Sequence, residues 1–224
     1  RFTIDLVEVS MQCGVDEAGR GPAMGPLVVG TVYVDSDQHL REIGVKDSKK
    51  LTPKARERLY DEITSSADHW ATVVISAEEI DEQRKNISLN DIEMNMFAEA
   101  AKKWSVDKIF VDCPDINESS FSNRLSILLG NRAEVIAKHK ADDTYPVVSA
   151  ASIIAKVTRD RMMSDIQEEF EVNIGSGYPS DHYTMDFIGD WIAKNGKAPP
   201  HVRTSWEPVR EMLSQRKNTT LDDW

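Results

Sequence analysis

Asp16 and Glu17 stand side by side after a short apolar run, Met11 to Val15, and ahead of Ala18-Gly19-Arg20-Gly21-Pro22-Ala23-Met24-Gly25-Pro26. Adjacent carboxylates at the end of an apolar strand can hold a hard cation. The glycines that follow let backbone come close to something bulky and anionic, and Arg20 can grip it. A surface turn with incidental charges is the plainer reading of this segment alone, since Asp, Glu and Gly all favour turns. Two more acids change the balance. Asp112 ends the run Lys-Ile-Phe-Val-Asp, and Asp142 follows the basic stretch Lys138-His139-Lys140. Four carboxylates near the ends of three strands suit oxygen-seeking cations, Mg²⁺ or Mn²⁺. The five histidines, at 39, 69, 139, 182 and 201, show no metal-binding pairing, and Cys13 and Cys113 cannot form a Cys-x-x-Cys site, so zinc is not expected. Gathered in one sheet, such carboxylates repel one another unless a cation lies between them.

Strands must hold these acids, and helices must hold the strands. Leu27 to Val34 is a continuous valine-rich run that reads as a buried strand paired with the one ending at Asp16. Thr52-Pro53 reads as a helix start, leading to about Ser65. Trp70 to Ile75 reads as a strand, and Leu89, Ile92, Met96, Ala100 and Trp104 recur at helical spacing. Lys108 to Asp112 is a strand, Ser119 to Leu129 a helix, Ala133 to Ala137 a strand and Pro146 to Phe170 a long helix. Asp181 caps a further helix to about Lys194, which Asn195-Gly196 stops. Early paired strands and later alternation of strand and helix imply an α/β mixed sheet flanked by helices, with a C-terminal helical appendage. The expected division is a catalytic domain over 1–165, a helical region over 166–214 packed on it, and a flexible tail over 215–224.

Four motifs, in order, carry a family resemblance. They are Asp16-Glu-Ala-Gly-Arg-Gly-Pro22, Asp47-Ser-Lys-Lys-Leu-Thr52, the stretch Lys138 to Arg161 containing Lys-Ala-Asp-Asp-Thr-Tyr-Pro, and Gly175-Ser-Gly-Tyr-Pro-Ser-Asp181. Over residues 12 to about 206 the chain resembles type 2 ribonuclease H, the ribonuclease HII family, in its archaeal single-chain form. The resemblance implies a ribonuclease H-like fold and an endoribonuclease acting on RNA/DNA hybrids and on ribonucleotides embedded in duplex DNA. Two cations would clamp the phosphodiester, and cutting 5′ of the ribonucleotide leaves 3′-hydroxyl and 5′-phosphate ends. It carries the catalytic and metal-binding roles onto Asp16, Glu17, Asp112 and Asp142, with Asp143 and Asp115 as neighbouring acids. Gly19, Arg20 and Gly21 become the reader of the ribose 2′-hydroxyl, because only a glycine-lined turn brings backbone amides that near. Tyr178 matches the family tyrosine that stacks on the sugar after the ribonucleotide, and Lys49 is expected on a backbone phosphate. His182 stands where the family pattern has proline, a departure at a helix entry.

The 224 residues carry 27 basic and 38 acidic side chains, a net charge of −11 that argues against a nucleic-acid partner. Local clusters argue the other way: Lys46, Lys49, Lys50, Lys54, Arg56 and Arg58, then Lys138, Lys140, Lys156, Arg159 and Arg161. No run of eighteen apolar residues exists and no signal-like start precedes the strands, so a soluble cytoplasmic monomer without membrane contact is expected. Cys13 and Cys113 read as small buried thiols. Two rivals remain. One is a nucleotide-binding α/β domain, for Gly19-x-Gly21 follows a strand, although Gly-Lys-Ser/Thr is absent and two prolines remove amide donors. The other is a non-catalytic hybrid-binding module. At the C-terminus, Asn218-Thr-Thr-Leu221-Asp-Asp-Trp224 resembles a sliding-clamp binding motif, with Asn218 in the usual Gln position and Leu221 and Trp224 on one side of a helical turn.

Overall fold

A computed structural model describes residues 10–45 and 50–221, with side chains to residue 216. Its strands are β1 (Gln12–Ala18), β2 (Leu27–Val34), β3 (His69–Ile75), β4 (Lys108–Asp112) and β5 (Glu134–Lys138). The helices are α1 (Gln38–Glu42), α2 (Pro53–Ser66), α3 (Ala77–Gln83), α4 (Leu89–Ala101), α5 (Glu118–Leu128), α6 (Ala141–Thr144), α7 (Pro146–Phe170), α8 (His182–Asn195) and α9 (Glu207–Leu221). The strands form one mixed sheet in the order β3-β2-β1-β4-β5. β1 runs parallel to β4, and β4 parallel to β5, with Val15 opposite Val111 and Asp112 opposite Lys138.

Local chemistry accounts for several helix starts. Thr52 accepts from the Ala55 amide, with Pro53 at the first helical position of α2. Asp181 caps α8 through the Tyr183 amide, and Gly196 closes it in the left-handed region at φ 71°. α7 runs over Pro146–Phe170 as its apolar face predicts. α4 stops at Ala101 rather than Trp104; the Trp104 ring stacks on His69 at 4.6 Å instead of continuing the helix. Helices α3 and α6 lie outside the periodicity reading, and α9 begins within the C-terminal region expected to be helical. α3 is introduced by a capping box, in which Ser76 and Glu79 exchange hydrogen bonds with each other's backbone amides. α6 is a single turn. α9 occupies the polar C-terminal stretch and continues through residues 215 to 221, where a flexible tail is expected.

The chain forms two compact units, each drawn from separated stretches. The first comprises residues 1–16, 29–73 and 94–155; the second comprises 17–28, 74–93 and 156–224. In the first unit α7 begins directly against the sheet. A Cβ on Gly14 would collide with the Val147 carbonyl, and one on Gly30 would lie 2.5 Å from the Ala151 carbonyl. Ala150, Ala151 and Ser152 are buried in that contact. The small residues of this helix therefore serve close packing, and Ser149 and Ser152 do not face solvent as nucleic-acid contacts would. The second unit has its own core of Met24, Ile166, Ile174, Ile188, Ile192 and Val209, against which Met212 and Leu213 of α9 pack. Among the described residues, no helix is long and apolar enough to cross a membrane.

Candidate metal centre and the glycine turn

Parallel register brings the first two acids together. Val15 faces Val111, so Asp16 and Asp112 leave adjacent strands at the same level. Asp142 arrives from the next connection. β5 ends at Lys138, Lys140 turns back in the left-handed region at φ 55°, and Ala141 opens α6. Asp112 Oδ1 accepts the Ala141 amide at 3.0 Å, tying that turn to the end of β4. The Ser149 hydroxyl, from the first turns of α7, donates to the Asp142 carbonyl. Asp142 is thus placed by a strand end on one side and a helix packed against β1 on the other.

Asp16, Asp112 and Asp142 each offer one carboxylate oxygen within 4.8 Å of the other two. Asp16 is 5% exposed and Asp142 3%. At an effective dielectric of about 20, two unit charges at that separation repel by roughly 3 kcal/mol. Three such charges held together by packing need a countercharge, and an all-oxygen donor set fits a hard divalent cation. Glu17 follows Asp16 on β1, where neighbouring side chains alternate between faces, and it is half-buried. It is not one of the three acids in that group. Asp143 and Asp115 also lie outside it.

The glycine turn belongs to the second unit. Gly19 has φ 91°, and a Cβ there would collide with the Pro26 carbonyl and the Arg159 side chain, so only glycine fits. Tyr178, 42% exposed, lies against Gly21: a Cβ at that glycine would be 3.5 Å from the tyrosine ring. Sequence reading places these residues in different motifs, and the fold brings them into contact. The Arg20 guanidinium does not reach outward to an anion. Its Nη2 donates to Asn90 Oδ1 at 2.8 Å and its Nη1 pairs with the buried Glu93 carboxylate. What Arg20 leaves at the turn is its backbone.

Two buried arginines, Arg159 and Arg203, complete the surroundings. Arg159 is expected in a basic nucleic-acid cluster. Instead it is buried; its Nη2 donates to the Met24 carbonyl and its guanidinium lies 5.7 Å from the centre of the Tyr178 ring. Arg203 escapes sequence reading altogether, because it sits in an irregular stretch without periodicity. Lys49 falls in residues 46–49 and Trp224 in 222–224, both outside the described residues; Leu221 ends α9. Both cysteines are buried and free, and burial pushes the Cys13 thiol far up, so it is inert.

An α/β sheet that gathers carboxylates from two adjacent strands and the turn after a third fits the metal-dependent hydrolases of phosphodiesters. The family model for ribonuclease HII matches residues 13–209. The ribonuclease HII of Pyrococcus furiosus is 43% identical over 217 residues, spanning 93% of this chain and 96% of its own. The crystal structure of the ribonuclease H2 from Pyrococcus horikoshii superposes with a TM-score of 0.87 at 40% identity, covering 92% of this chain and 99% of that one. Ribonuclease HII in the PCNA:RNase HII complex from Archaeoglobus fulgidus gives a TM-score of 0.83 at 40% identity, covering 88% and 95%. The chain belongs to the ribonuclease HII family. It is an endoribonuclease that acts on RNA/DNA hybrids and depends on a divalent metal, which leaves no place for the two rival readings.

Proposed function

We propose that this nuclease cuts on the 5′ side of a ribonucleotide, within a hybrid or embedded in duplex DNA, and leaves 3′-hydroxyl and 5′-phosphate ends. The observation that carries the reading is the triad Asp16, Asp112 and Asp142, with Asp16 and Asp142 buried and Asp112 partly so. With Glu17 beside it in sequence, the triad would hold two cations, Mg²⁺ or Mn²⁺. When bound, these supply an activated water and stabilise charge on the leaving 3′-oxygen. The protein's own part is to fix the carboxylates at strand ends before substrate arrives and to select the scissile phosphate. Selection falls to the turn Gly19-Arg20-Gly21, whose amides donate to the ribose 2′-hydroxyl, and to Tyr178, whose exposed ring stacks on the following sugar. Lys49 contacts a backbone phosphate as a point charge. The chain acts as a monomer in the cytoplasm, and its C-terminus, through Leu221 and Trp224, docks on a sliding clamp; similarity to the protein in the PCNA complex supports that docking.

The test is cleavage of end-labelled duplex DNA containing one ribonucleotide. A single product ending in a 3′-hydroxyl, one linkage 5′ of the ribonucleotide, is expected with Mg²⁺ or Mn²⁺ and not with chelator. Equal cutting of an all-DNA duplex refutes the specificity, and a 2′,3′-cyclic phosphate end refutes the mechanism.

A further inference from the structure

Four carbonyl oxygens of the glycine turn converge on two side chains from one loop. Arg203, fully buried, donates from Nη2 to the Gly19 carbonyl at 2.6 Å and from Nη1 to the Arg20 carbonyl at 3.1 Å. It also spans the far end of the turn, from Nε and Nη2 to the Gly25 carbonyl at 3.1 and 2.9 Å. Trp206 lies with its ring 4.7 Å from the Arg203 guanidinium, and its Nε1 donates to the Gly21 carbonyl at 3.0 Å.

The loop that delivers them is itself held. Residues 201–203 pair with 23–25: Gly25 N donates to the His201 carbonyl, Arg203 N donates to the Ala23 carbonyl, and Met24 bridges Val202 antiparallel. Asp81 of α3 then fastens the following residues by accepting the amides and hydroxyls of Thr204 and Ser205. Burial first, and the nearby charge of Arg159 second, lower the Arg203 pKa to about 9, which still leaves it a cation at neutral pH.

In a trans peptide the C=O and the next N–H point in opposite directions. A Gly19 carbonyl turned onto Arg203 turns the Arg20 N–H away from it, and an Arg20 carbonyl turned onto Arg203 does the same for the Gly21 N–H. The Gly21 carbonyl precedes Pro22, which has no N–H to present. The arrangement therefore directs two amide donors, Arg20 and Gly21, to the side away from Arg203, and Gly21 is exposed. A buried cation is costly where an apolar side chain of similar volume would pack as well. A planar guanidinium, with five donors in a fixed fork, reaches the three separated carbonyls of Gly19, Arg20 and Gly25 at once.

We propose that Arg203 is the positioning residue for ribose discrimination: it sets the direction of the two amides that meet the 2′-hydroxyl, with Trp206 bracing it. This rests on the reading of Gly19-Arg20-Gly21 as the ribose reader. The test compares two duplexes under turnover conditions, one with a single ribonucleotide as substrate and an all-DNA duplex of the same sequence as competitive inhibitor. The ratio of the inhibitor's Ki to the substrate's KM measures discrimination. For Arg203→Lys the ratio falls at least tenfold while Ki stays within about twofold of wild type and the protein remains folded. A purely structural role would raise Ki and KM together and leave the ratio unchanged, which overturns the proposal. If Arg203→Lys does not fold, Trp206→Phe carries the test: it keeps a ring against Arg203 and loses the bond to Gly21. Its ratio should fall severalfold at constant Ki, and an unchanged ratio overturns the proposal. A wild-type ratio near one overturns the reading of the turn and this inference with it; a large wild-type ratio that Arg203→Lys preserves overturns this inference alone.

Discussion

Asp112 has two tasks at one carboxylate. Its Oδ1 accepts the Ala141 amide, and an ionised carboxylate has further lone pairs to offer a cation shared with Asp16 and Asp142. Asparagine keeps an acceptor oxygen for the Ala141 amide and removes the charge. Asp112→Asn should therefore leave the fold intact or slightly stabilised, since repulsion within the triad falls. Metal-dependent cleavage should drop by more than the roughly 10–100-fold typical of losing an outer partner of a metal site. A second readout needs no substrate. A cation at about 100 times its dissociation constant stabilises the folded protein by about 2.7 kcal/mol, and Asp112→Asn should lose most of that rise in unfolding temperature on adding Mn²⁺. Full activity, or an undiminished shift with Mn²⁺, removes Asp112 from the site. The candidate residues differ in how legible they were. Asp16 and Asp112 were visible because apolar runs announce the strands that carry them, and Asp142 through the motif around it. The partners of Arg20 were not, because Asn90 lies 70 residues on, with Glu93 just beyond it, and only packing brings them near.

Several helices begin where a side chain takes up an orphan amide, and α8 shows how much rests on one carboxylate. Asp181 accepts the Tyr183 amide at the helix start and the Ser176 amide at 2.7 Å, and through the latter it holds the turn that carries Tyr178. The Ser176 amide, ahead of other causes, lowers the Asp181 pKa below the usual carboxylate value. A depressed folded pKa means stability present above the unfolded carboxylate pKa and lost as pH falls through the folded one. Asp181→Ala should then be destabilising at pH 7, through loss of the cap and of the bond to Ser176. The gap between variant and wild type should close as the pH falls below about 4, measured by denaturant unfolding; a gap independent of pH shows that charge on Asp181 is not the cause. Caps of this kind make helix starts legible: Thr52 and Asp181 both sit where the sequence places them. The start of α3 carried an equally clear signal, Ser76 and Glu79 three apart, within a stretch too short for periodicity to register. In α9 the spacing of Val209, Met212 and Leu213 was available, but a polar background masked it.

At the scale of the molecule, two units, each drawn from separated stretches of the chain, carry the site residues. The acidic triad lies within one, and the turn, Tyr178, Arg159 and Arg203 lie within the other. The proposed clamp contact stands apart from both activities. A short terminal motif buries little and binds weakly on its own, and it is separable from the chemistry. Deleting residues 217–224 should leave cleavage of short chimeric duplexes unchanged and abolish co-migration with the sliding clamp in size-exclusion chromatography. Clamp binding that survives the deletion refutes the assignment.

Family, reaction and most strand and helix positions were determined by sequence alone, because hydrophobic period, caps and the motif around Asp16 are local properties that a linear chain displays. Tertiary structure decided which acids meet, since register between parallel strands sets Asp16 level with Asp112 while the left-handed turn at Lys140 brings in Asp142. It also decided that Arg20 is anchored rather than free and that Arg159 is buried rather than part of a basic surface. Above all it decided the place of Arg203, whose role exists only where residues 184 positions apart come within hydrogen-bonding distance. Hydrogen bonds across such separations depend on packing that no local pattern records.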